Sequence, residues 1–428
     1  MNLALPGIFI VLTCGFVPPD VLDVSAEECR PRGGLPNFIR KAGTPAAEVK
    51  VAYLGGSITA AQGGWRSKSL ALFQKTWPTA RFSEINAAIG GTGSDLGVFR
   101  LTRDVLDHEP DLLFVEFAVN DGGASPNQIL RCMEGIIRQT CRSRPGCDVC
   151  FVYTITESLV GPLLEGKLPR AAATMEQVAD RYGIPTLHLG LEVARLAKEG
   201  KLLWSAPLPK SDEDRRKVGD AVVFASDSVH PYPETGHELY LQAIARSLPG
   251  LRGASGAAGP HGLPDPLVST NYERARLIPI SEAVLPSEFR TVDLLKDDFG
   301  KRWATRLPAL YRGSEAGGAL TFRFKGVHCA IYNVIGPDCG QVRVTLDDGA
   351  ARLVARFDEF CTYHRLATFD VGTDLPDAVH TVRIEIDPRP PEKAKILSRR
   401  QHALDPPERY QGTAFYPGAI LVVGELVK

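Results

Sequence analysis

Short apolar runs alternate with amphipathic stretches from Lys50 to about Leu248, and this alternation limits the possible folds more than any other feature. A short apolar run predicts a buried strand, and an amphipathic stretch predicts a helix that covers it. Strands and helices in alternation favour a parallel sheet with helices on both faces, because parallel strands need crossover connections. The apolar runs are 49–54, 81–86, 111–118, 148–154 and 185–189.

The run 111–118 is almost continuously apolar, which predicts a central strand that is buried on both faces. Beyond it, Ser125 and Pro126 supply the cap and the first-turn proline of a helix. Similar apolar stripes at helical spacing follow Trp65, Ser94, Arg170 and Pro233.

The hydrophobic period changes from helical spacing to two beyond a glycine-rich segment at about 250–266. Residues 320–324, 341–346 and 381–386 alternate apolar and polar side chains, as half-buried strands do. Asp347-Asp348-Gly349 separates two such runs and predicts a hairpin turn. We therefore predict an antiparallel β-sandwich in the last third of the chain.

A length of 428 residues favours two folded domains. The predicted limits are a signal peptide at 1–26, an α/β domain at 27–248, a linker at 249–266 and a β-sandwich accessory domain at 267–428. The net charge is −1 and no long run of like charge occurs, which argues against nucleic acid or an anionic membrane as a partner. A neutral or small molecule is the expected partner, and the oligomeric state stays open.

The chain starts with a short apolar stretch from Leu3 to Val17, and Val24-Ser25-Ala26 before Glu27 suits a small-residue cleavage site. We interpret it as a secretory signal, so the protein is predicted to be secreted or periplasmic. A disordered or docked terminus and a lipid anchor at Cys14 are the alternatives. No later stretch is long and apolar enough to span a bilayer. Cys147 and Cys150 have metal-knuckle spacing but no second pair, so buried thiols or disulfides are expected and no metal is.

Three separated residues form a candidate catalytic set. Ser57 follows the first apolar run in the turn Gly55-Gly56-Ser57, which places it at the carboxyl edge of the predicted sheet. Asp227 and His230 share the segment Asp227-Ser228-Val229-His230. A serine hydroxyl becomes a nucleophile when a base takes its proton, and the base needs an acid to orient it. The alternative for Ser57 is an ordinary helix cap.

Two further segments offer hydrogen-bond donors at the same sheet edge. Gly91 lies in a glycine turn after the second run, where a backbone N–H can approach a substrate oxygen. Asn120 ends the central strand and carries a side-chain amide. Together with the Ser57 N–H, these donors predict an oxyanion hole for a tetrahedral intermediate.

The segments that contain Ser57, Gly91, Asn120 and the Asp227–His230 pair form four blocks. In this order they resemble the SGNH or GDSL-type hydrolase family. The resemblance implies a three-layer α/β/α flavodoxin-like domain, Ser57 as nucleophile, His230 as base, Asp227 as its orienting acid, and no cofactor. It also implies that Ser57, Gly91 and Asn120 form the oxyanion hole. The sequence departs from the family pattern at Gly56, where Asp is usual, and at Ala118, where Gly is usual. Gly-Ser starts are familiar among carbohydrate-directed members.

The resemblance implies hydrolysis of carboxylic esters. A β-sandwich after the hydrolase domain resembles SGNH carbohydrate esterases, which predicts an O-acetylated polysaccharide as substrate. The alternatives are a short-chain lipase or thioesterase-type hydrolase and a silent glycan-binding protein. Aromatic residues in the last third are candidates for stacking on sugars or for the core: Trp303, Tyr311, Tyr332 and Tyr363.

Glu116 lies within the apolar central strand, and a buried charge needs a partner. We expect it to pair with Arg66 or Arg100 and to support the site from below. Trp65 and Arg66 follow the nucleophile turn and are candidates for the pocket lining, with core packing as the alternative for Trp65.

Overall fold

The computed structural model describes residues 23–314 and 318–428. Most of the predicted signal peptide, including Cys14, lies outside the described residues. No helix within the described ranges is long and apolar enough to cross a membrane. The cysteines of the same ranges are free thiols, so the disulfide alternative is not realised among them.

The N-terminal part alternates strands and helices as the sequence predicts. The strands are β1 (Cys29–Arg30), β2 (Glu48–Gly55), β3 (Arg81–Asn86), β4 (Leu112–Glu116), β5 (Asp148–Tyr153), β6 (Thr186–His188), β7 (Leu202–Ser205) and β8 (Val222–Ala225). The helices are α1 (Pro36–Ala42), α2 (Ser57–Ala60), α3 (Trp65–Thr76), α4 (Ser94–Asp104), α5 (Pro126–Ser143), α6 (Val160–Leu164), α7 (Arg170–Tyr182), α8 (Leu191–Lys198), α9 (Asp212–Val218) and α10 (Gly236–Gly253).

Six of these strands form one sheet in the order β1-β6-β5-β4-β2-β3. Strands β2 to β6 are parallel, and β1 pairs with β6 in the antiparallel direction. Strand β4 lies in the interior of the sheet, and all of its residues are buried, as predicted for the run 111–118. The two-residue strand β1 carries no apolar run and was not predicted. Strands β7 and β8, which pair with each other in a separate two-stranded sheet, were not predicted either.

Helices cover both faces of this sheet. Helix α5 contacts both α4 and α7, and helix α10 contacts both α3 and α8. The ring of Phe73 in α3 stacks on Phe114 of β4 with centroids 6.2 Å apart. Ser125 caps α5 by accepting a hydrogen bond from the Gln128 N–H at 3.2 Å, as predicted. The result is the predicted three-layer α/β/α domain.

The C-terminal part is mainly antiparallel. Its strands are β9 (Ala275–Pro279), β10 (Phe289–Thr291), β11 (Tyr311–Gly313), β12 (Ala319–Ile335), β13 (Gln341–Leu346), β14 (Arg352–Ala355), β15 (Arg365–Gly372), β16 (Ala378–Asp387) and β17 (Tyr416–Val427). Its helices are α11 (Asp298–Lys301) and α12 (Lys393–Ser398). The predicted turn at Asp347 joins β13 and β14, and the Gly349 N–H donates to the Leu346 carbonyl at 3.0 Å.

The long strand β12 organises the sandwich. Its first part, 319–326, pairs with β16, and its second part, 329–335, pairs with β15. Strand β17 follows the other edge of β12, with an irregularity between Gly326 and His328. Such bulges bend a strand, so the sheet folds over on itself. The apolar side chains between its layers include Phe324, Ile331, Phe369, Ile384 and Val422.

The two parts of the chain share one continuous apolar core. Tyr332, Tyr416 and Leu421 of the sandwich belong to the same buried cluster as Phe99 and Phe114 of the α/β part. The predicted linker 249–266 begins inside α10, because Leu251 is buried and extends the apolar face of that helix. The predicted domain limits otherwise stay predictions.

Candidate active site

Ser57 is the first residue of α2, directly after the carboxyl end of β2. Gly56 occupies the cap position of this helix, and the Ser57 hydroxyl makes no capping bond. The hydroxyl is instead within hydrogen-bond distance of a histidine, because Ser57 Oγ lies 2.9 Å from His230 Nε2. The helix-cap alternative for Ser57 therefore does not hold.

Asp227 and His230 lie on a tight turn after β8. Ser228, between them, has a φ of 65°, which closes the turn. One carboxylate oxygen of Asp227 accepts hydrogen bonds from the backbone N–H groups of Val229 at 3.0 Å and His230 at 2.8 Å. The other oxygen lies 2.7 Å from His230 Nδ1. The carboxylate thus fixes both the turn and the orientation of the imidazole.

The hydrogen bonds to Asp227 also set its charge. Partial burial works to raise the pKa of Asp227, but the bonds from the His230 backbone and ring and from the Val229 N–H outweigh it and lower the pKa to about 2. The carboxylate is therefore ionised across the neutral range. The side chains of His230 and Asp227 are 50% and 49% exposed, so the pair opens directly to solvent.

A glycine loop after β3 lies against Ser57. The N–H groups of Ala87 and Ile89 donate to the carbonyls of Tyr53 and Gly55, both at 3.0 Å, which extends the loop along the end of β2. A Cβ at Gly90 would stand 3.5 Å from the Ser57 Cβ. Gly91 has a φ of +73°, a conformation that residues with side chains rarely adopt. The structure therefore brings the predicted Gly91 turn to the serine.

Asn120 reaches the same turn from the end of β4. It begins a short 3₁₀ turn, Asn120–Gly123, and its side-chain amide packs on Gly56. A Cβ at Gly56 would lie 2.0 Å from Asn120 Oδ1 and 3.2 Å from Nδ2. The amide occupies this place only because residue 56 has no side chain. The five predicted residues Ser57, Gly91, Asn120, Asp227 and His230 are thus brought to one edge of the sheet.

Glu116 is buried beneath this edge, but the expected arginine partner is absent from its described contacts. It accepts hydrogen bonds from Thr59 Oγ1 and Thr154 Oγ1, both at 2.8 Å. A further bond comes from the Gly56 N–H, and burial raises the pKa of the carboxyl. Neutral donors satisfy Glu116, so the predicted pairing with Arg66 or Arg100 was wrong.

The two arginines have other partners. Arg66 pairs with Glu84 and donates from Nε to the Thr59 carbonyl at 3.0 Å. Arg100 pairs with Asp104 at 3.1 Å and also donates to the Ala87 carbonyl. Arg66 therefore contacts the backbone of α2, and Arg100 contacts the backbone of the loop after β3. A supporting role for Arg66 stays a prediction. Trp65 is fully buried in the core and does not line the cleft.

Replacing Glu116 by glutamine is expected to lower kcat without unfolding the protein. In glutamine one of the two acceptor oxygens becomes an NH2 group, which cannot accept the bond that Thr59 or Thr154 donates at that place. A lost bond to a buried donor costs about 1–3 kcal/mol. The nucleophile turn should shift, so we expect kcat to fall about tenfold or more. Ester hydrolysis and thermal unfolding of Glu116→Gln test this, with Glu48→Gln on the exposed surface as the matched control. A wild-type kcat in Glu116→Gln would contradict a supporting role.

A cavity of about 410 Å³ adjoins Gly91 and Asn120, and the β-sandwich forms its other wall. Sandwich residues in this wall include Asp358, Arg365 and Thr368. Arg365 forms an ion pair with Asp358, while its Nε is buried without a partner among the described residues. Sequence reasoning missed these residues, because no local motif marks positions so distant along the chain from Ser57.

Tyr363 is the most exposed of the four aromatic candidates for sugar stacking. Trp303 and Tyr332 are 3% and 1% exposed and belong to the core, whereas Tyr363 is 54% exposed. Tyr363 lies on the loop between Asp358 and Arg365, which line the cavity, but of these aromatic residues Tyr332 is the one that lines it.

Comparison with known proteins agrees with this geometry. Residues 53–238 match the model of the GDSL-like lipase/acylhydrolase family. No curated protein matches the chain.

Similar solved structures include a two-domain esterase active on acetylated mannans, determined alone and co-crystallised with mannopentaose. Each of these two structures has 20% sequence identity to this chain and a TM-score of 0.70. The superposition covers 93% of this chain and 97% of the esterase chain. This likeness shows that both domains of the fold are shared. Axe2, an acetylxylan esterase from Geobacillus stearothermophilus, has 16% identity, covers 48% of this chain and 96% of that chain, and has a TM-score of 0.36.

The family match covers Ser57, Gly91, Asn120, Asp227 and His230. Residues 53–238 are therefore similar to the GDSL-like lipase/acylhydrolase family, and the protein is a carboxylic ester hydrolase.

Proposed function

We propose that the protein is a serine esterase that removes O-acetyl groups from a polysaccharide through an acyl-enzyme on Ser57. The observation that carries the proposal is the chain of contacts from Ser57 Oγ through His230 to Asp227, at 2.9 Å and 2.7 Å. These distances allow His230 to take the serine proton while Asp227 holds the imidazole in the required tautomer.

In the proposed reaction, Ser57 Oγ attacks the ester carbonyl carbon and its proton passes to His230 Nε2. The negative charge that develops on the carbonyl oxygen is stabilised by the Ser57 N–H, the Gly91 N–H and the Asn120 amide. His230 then gives its proton to the leaving alkoxide of the sugar, and the acyl group stays on Ser57. Water, activated by His230, releases the acid and restores the free serine.

The cavity beside the candidate site supports a sugar substrate. Its lining is rich in hydrogen-bonding side chains, including Thr92 and Gln128 of the α/β domain and Arg365 and Thr368 of the sandwich. Such groups suit sugar hydroxyls, whereas a long acyl chain requires an apolar channel. The half-exposed His230 also suits an acetyl group carried on a bulky polymer. The fold shared with an esterase active on acetylated mannans agrees with this proposal.

A substrate panel tests the proposal. Acetate release is measured from acetylated mannan, xylan and pectin, and hydrolysis is measured on aryl esters of increasing acyl length. We expect acetate release from at least one polymer and a rate that falls as the acyl chain lengthens. A preference for long chains would favour a lipase or thioesterase. Binding to a polymer without any turnover would favour a silent glycan-binding protein.

Replacing Arg365 by alanine is expected to impair hydrolysis of the polymer alone. A hydrogen bond from a charged donor contributes about 1.5–3 kcal/mol, so kcat/KM for the polymer should fall by about 10-fold to 100-fold. An aryl acetate does not extend to the sandwich wall, and its hydrolysis should not change. Arg383→Ala, on the exposed surface of the sandwich, is the matched control. Equal losses on both substrates would contradict a glycan contact at Arg365.

The predicted export of the protein agrees with a polysaccharide substrate outside the cell. We propose a secreted or periplasmic location on the N-terminal sequence alone, and mass analysis of the mature protein tests it by showing whether cleavage occurs after Ala26.

A further inference from the structure

Asp121 follows Asn120 directly, and the reaction described above assigns it no role. Its side chain is 3% exposed. Its Oδ1 accepts a hydrogen bond from the Ser94 backbone N–H at 3.0 Å, and its Oδ2 has no partner among the described residues. The carboxyl therefore connects the turn after β4 to the backbone that follows the Gly91 loop.

This connection is tightly packed. Ser94 is the first residue of α4, and Gly93 occupies the cap position before it. A Cβ at Gly93 would lie 2.3 Å from Asp121 Oδ1, so the carboxyl rests on the loop backbone itself. The loop is held at its start by the bond from the Ile89 N–H to the Gly55 carbonyl. At its end, Asp121 ties the loop to the turn that carries Asn120.

We propose that Asp121 is a positioning residue that sets the distance between the Gly91 N–H and the Asn120 amide, so that both donors reach the same substrate oxygen. The inference rests on the proposed function, because it requires both groups to act on an oxyanion. Asp121 acts through the Ser94 N–H and through its own chain link to Asn120. A preorganised pair of donors stabilises the transition state more than the bound ester, because the negative charge develops only there.

The proposed role needs an acceptor oxygen at Oδ1 and no charge. Burial raises the pKa of Asp121 to about 7, so the carboxyl is mostly neutral at pH 6. Asparagine has the same shape, presents the same acceptor oxygen and is also neutral. Leucine has a similar size and no acceptor. The pair Asp121→Asn and Asp121→Leu therefore separates the hydrogen bond from the volume of the side chain.

The experiment measures kcat and KM for an aryl acetate and the inhibition constant of methylboronic acid, which forms a tetrahedral adduct with a serine hydroxyl. In Asp121→Leu, kcat should fall about 100-fold, as when one oxyanion donor is lost, while KM changes little. The boronate should bind more weakly by a similar factor. Asp121→Asn should recover most of both values, and a role in stability alone would not produce this pattern.

A second variant tests the same bond from the other side and remains informative if Asp121→Leu does not fold. Ser94→Pro deletes the N–H that Asp121 accepts, and proline is favoured at the first position of a helix. It should show the same loss of kcat and of boronate affinity. Wild-type values in Ser94→Pro, or an Asp121→Asn as defective as Asp121→Leu, would overturn the inference. An inactive wild-type protein that does not bind the boronate would instead overturn the proposed function.

Discussion

Ser57→Ala is expected to lower kcat for an aryl acetate by about 10⁴-fold or more, the effect of removing the nucleophile from a serine–histidine–aspartate set. The loss arises because Ser57 Oγ is the atom that receives the acyl group and the atom whose proton His230 takes, across a contact of 2.9 Å. His230→Ala should cause a comparable loss. The double variant should be little worse than either single variant, because the two groups act as a unit.

The matched control is Ser226→Ala, which makes the same chemical change on the exposed turn just before Asp227. It should keep wild-type kcat, and all variants should unfold at similar temperatures. A Ser57→Ala protein that keeps more than about 1% of the activity would show that another group performs the reaction.

Gly56→Ala is expected to lower kcat by about 10²-fold to 10³-fold, although it adds a single methyl group. The new Cβ would stand 2.0 Å from Asn120 Oδ1, so the amide must leave its place beside Ser57. The backbone itself tolerates alanine, since Gly56 has a φ of −92°. The fall in kcat should therefore equal the fall caused by removing one oxyanion donor, which is the basis of the expected 10²-fold to 10³-fold effect. Steady-state kinetics on an aryl acetate measure it.

A double-mutant cycle separates this cause from a general disturbance of the turn. In an Asn120→Ala background the amide is gone, so Gly56→Ala should cost little further activity. Strict additivity of the two losses would show that the methyl group harms the nucleophile turn directly. A Gly56→Ala protein with normal kcat would show that Asn120 does not act where it packs.

Strands β2 to β6 and helices α3, α4, α5, α7 and α10 of the N-terminal part could be predicted from the sequence because each carries its own periodic signal. The run 81–86 matches β3 in both of its limits, and the all-buried β4 appears as a continuous apolar run. The strand β1 could not be predicted, since two residues are too few for a period. The end of α10 was misjudged, because the glycine-rich composition concealed the buried Leu251.

The candidate site could be located because its residues follow strand ends and turns. Ser57, Gly91 and Asn120 follow parallel strands whose carboxyl ends meet at one edge. The partner of Glu116 could not be predicted, because a hydrogen bond from the Thr59 or Thr154 hydroxyl leaves no pattern in the sequence. Likewise, only the tertiary structure places Arg365 in the lining of the same cavity as Asn120.

The shared apolar core has a consequence for how proteins of this architecture can arise. Tyr332, Tyr416 and Leu421 contribute to the same buried cluster as Phe99 and Phe114 of the α/β part of the chain. A hydrolase domain that lost its sandwich would expose this surface to water and would tend to associate through it. Gain, loss or exchange of the sandwich by recombination is therefore expected to require matched substitutions on both sides. The two domains are constrained to be inherited as a pair.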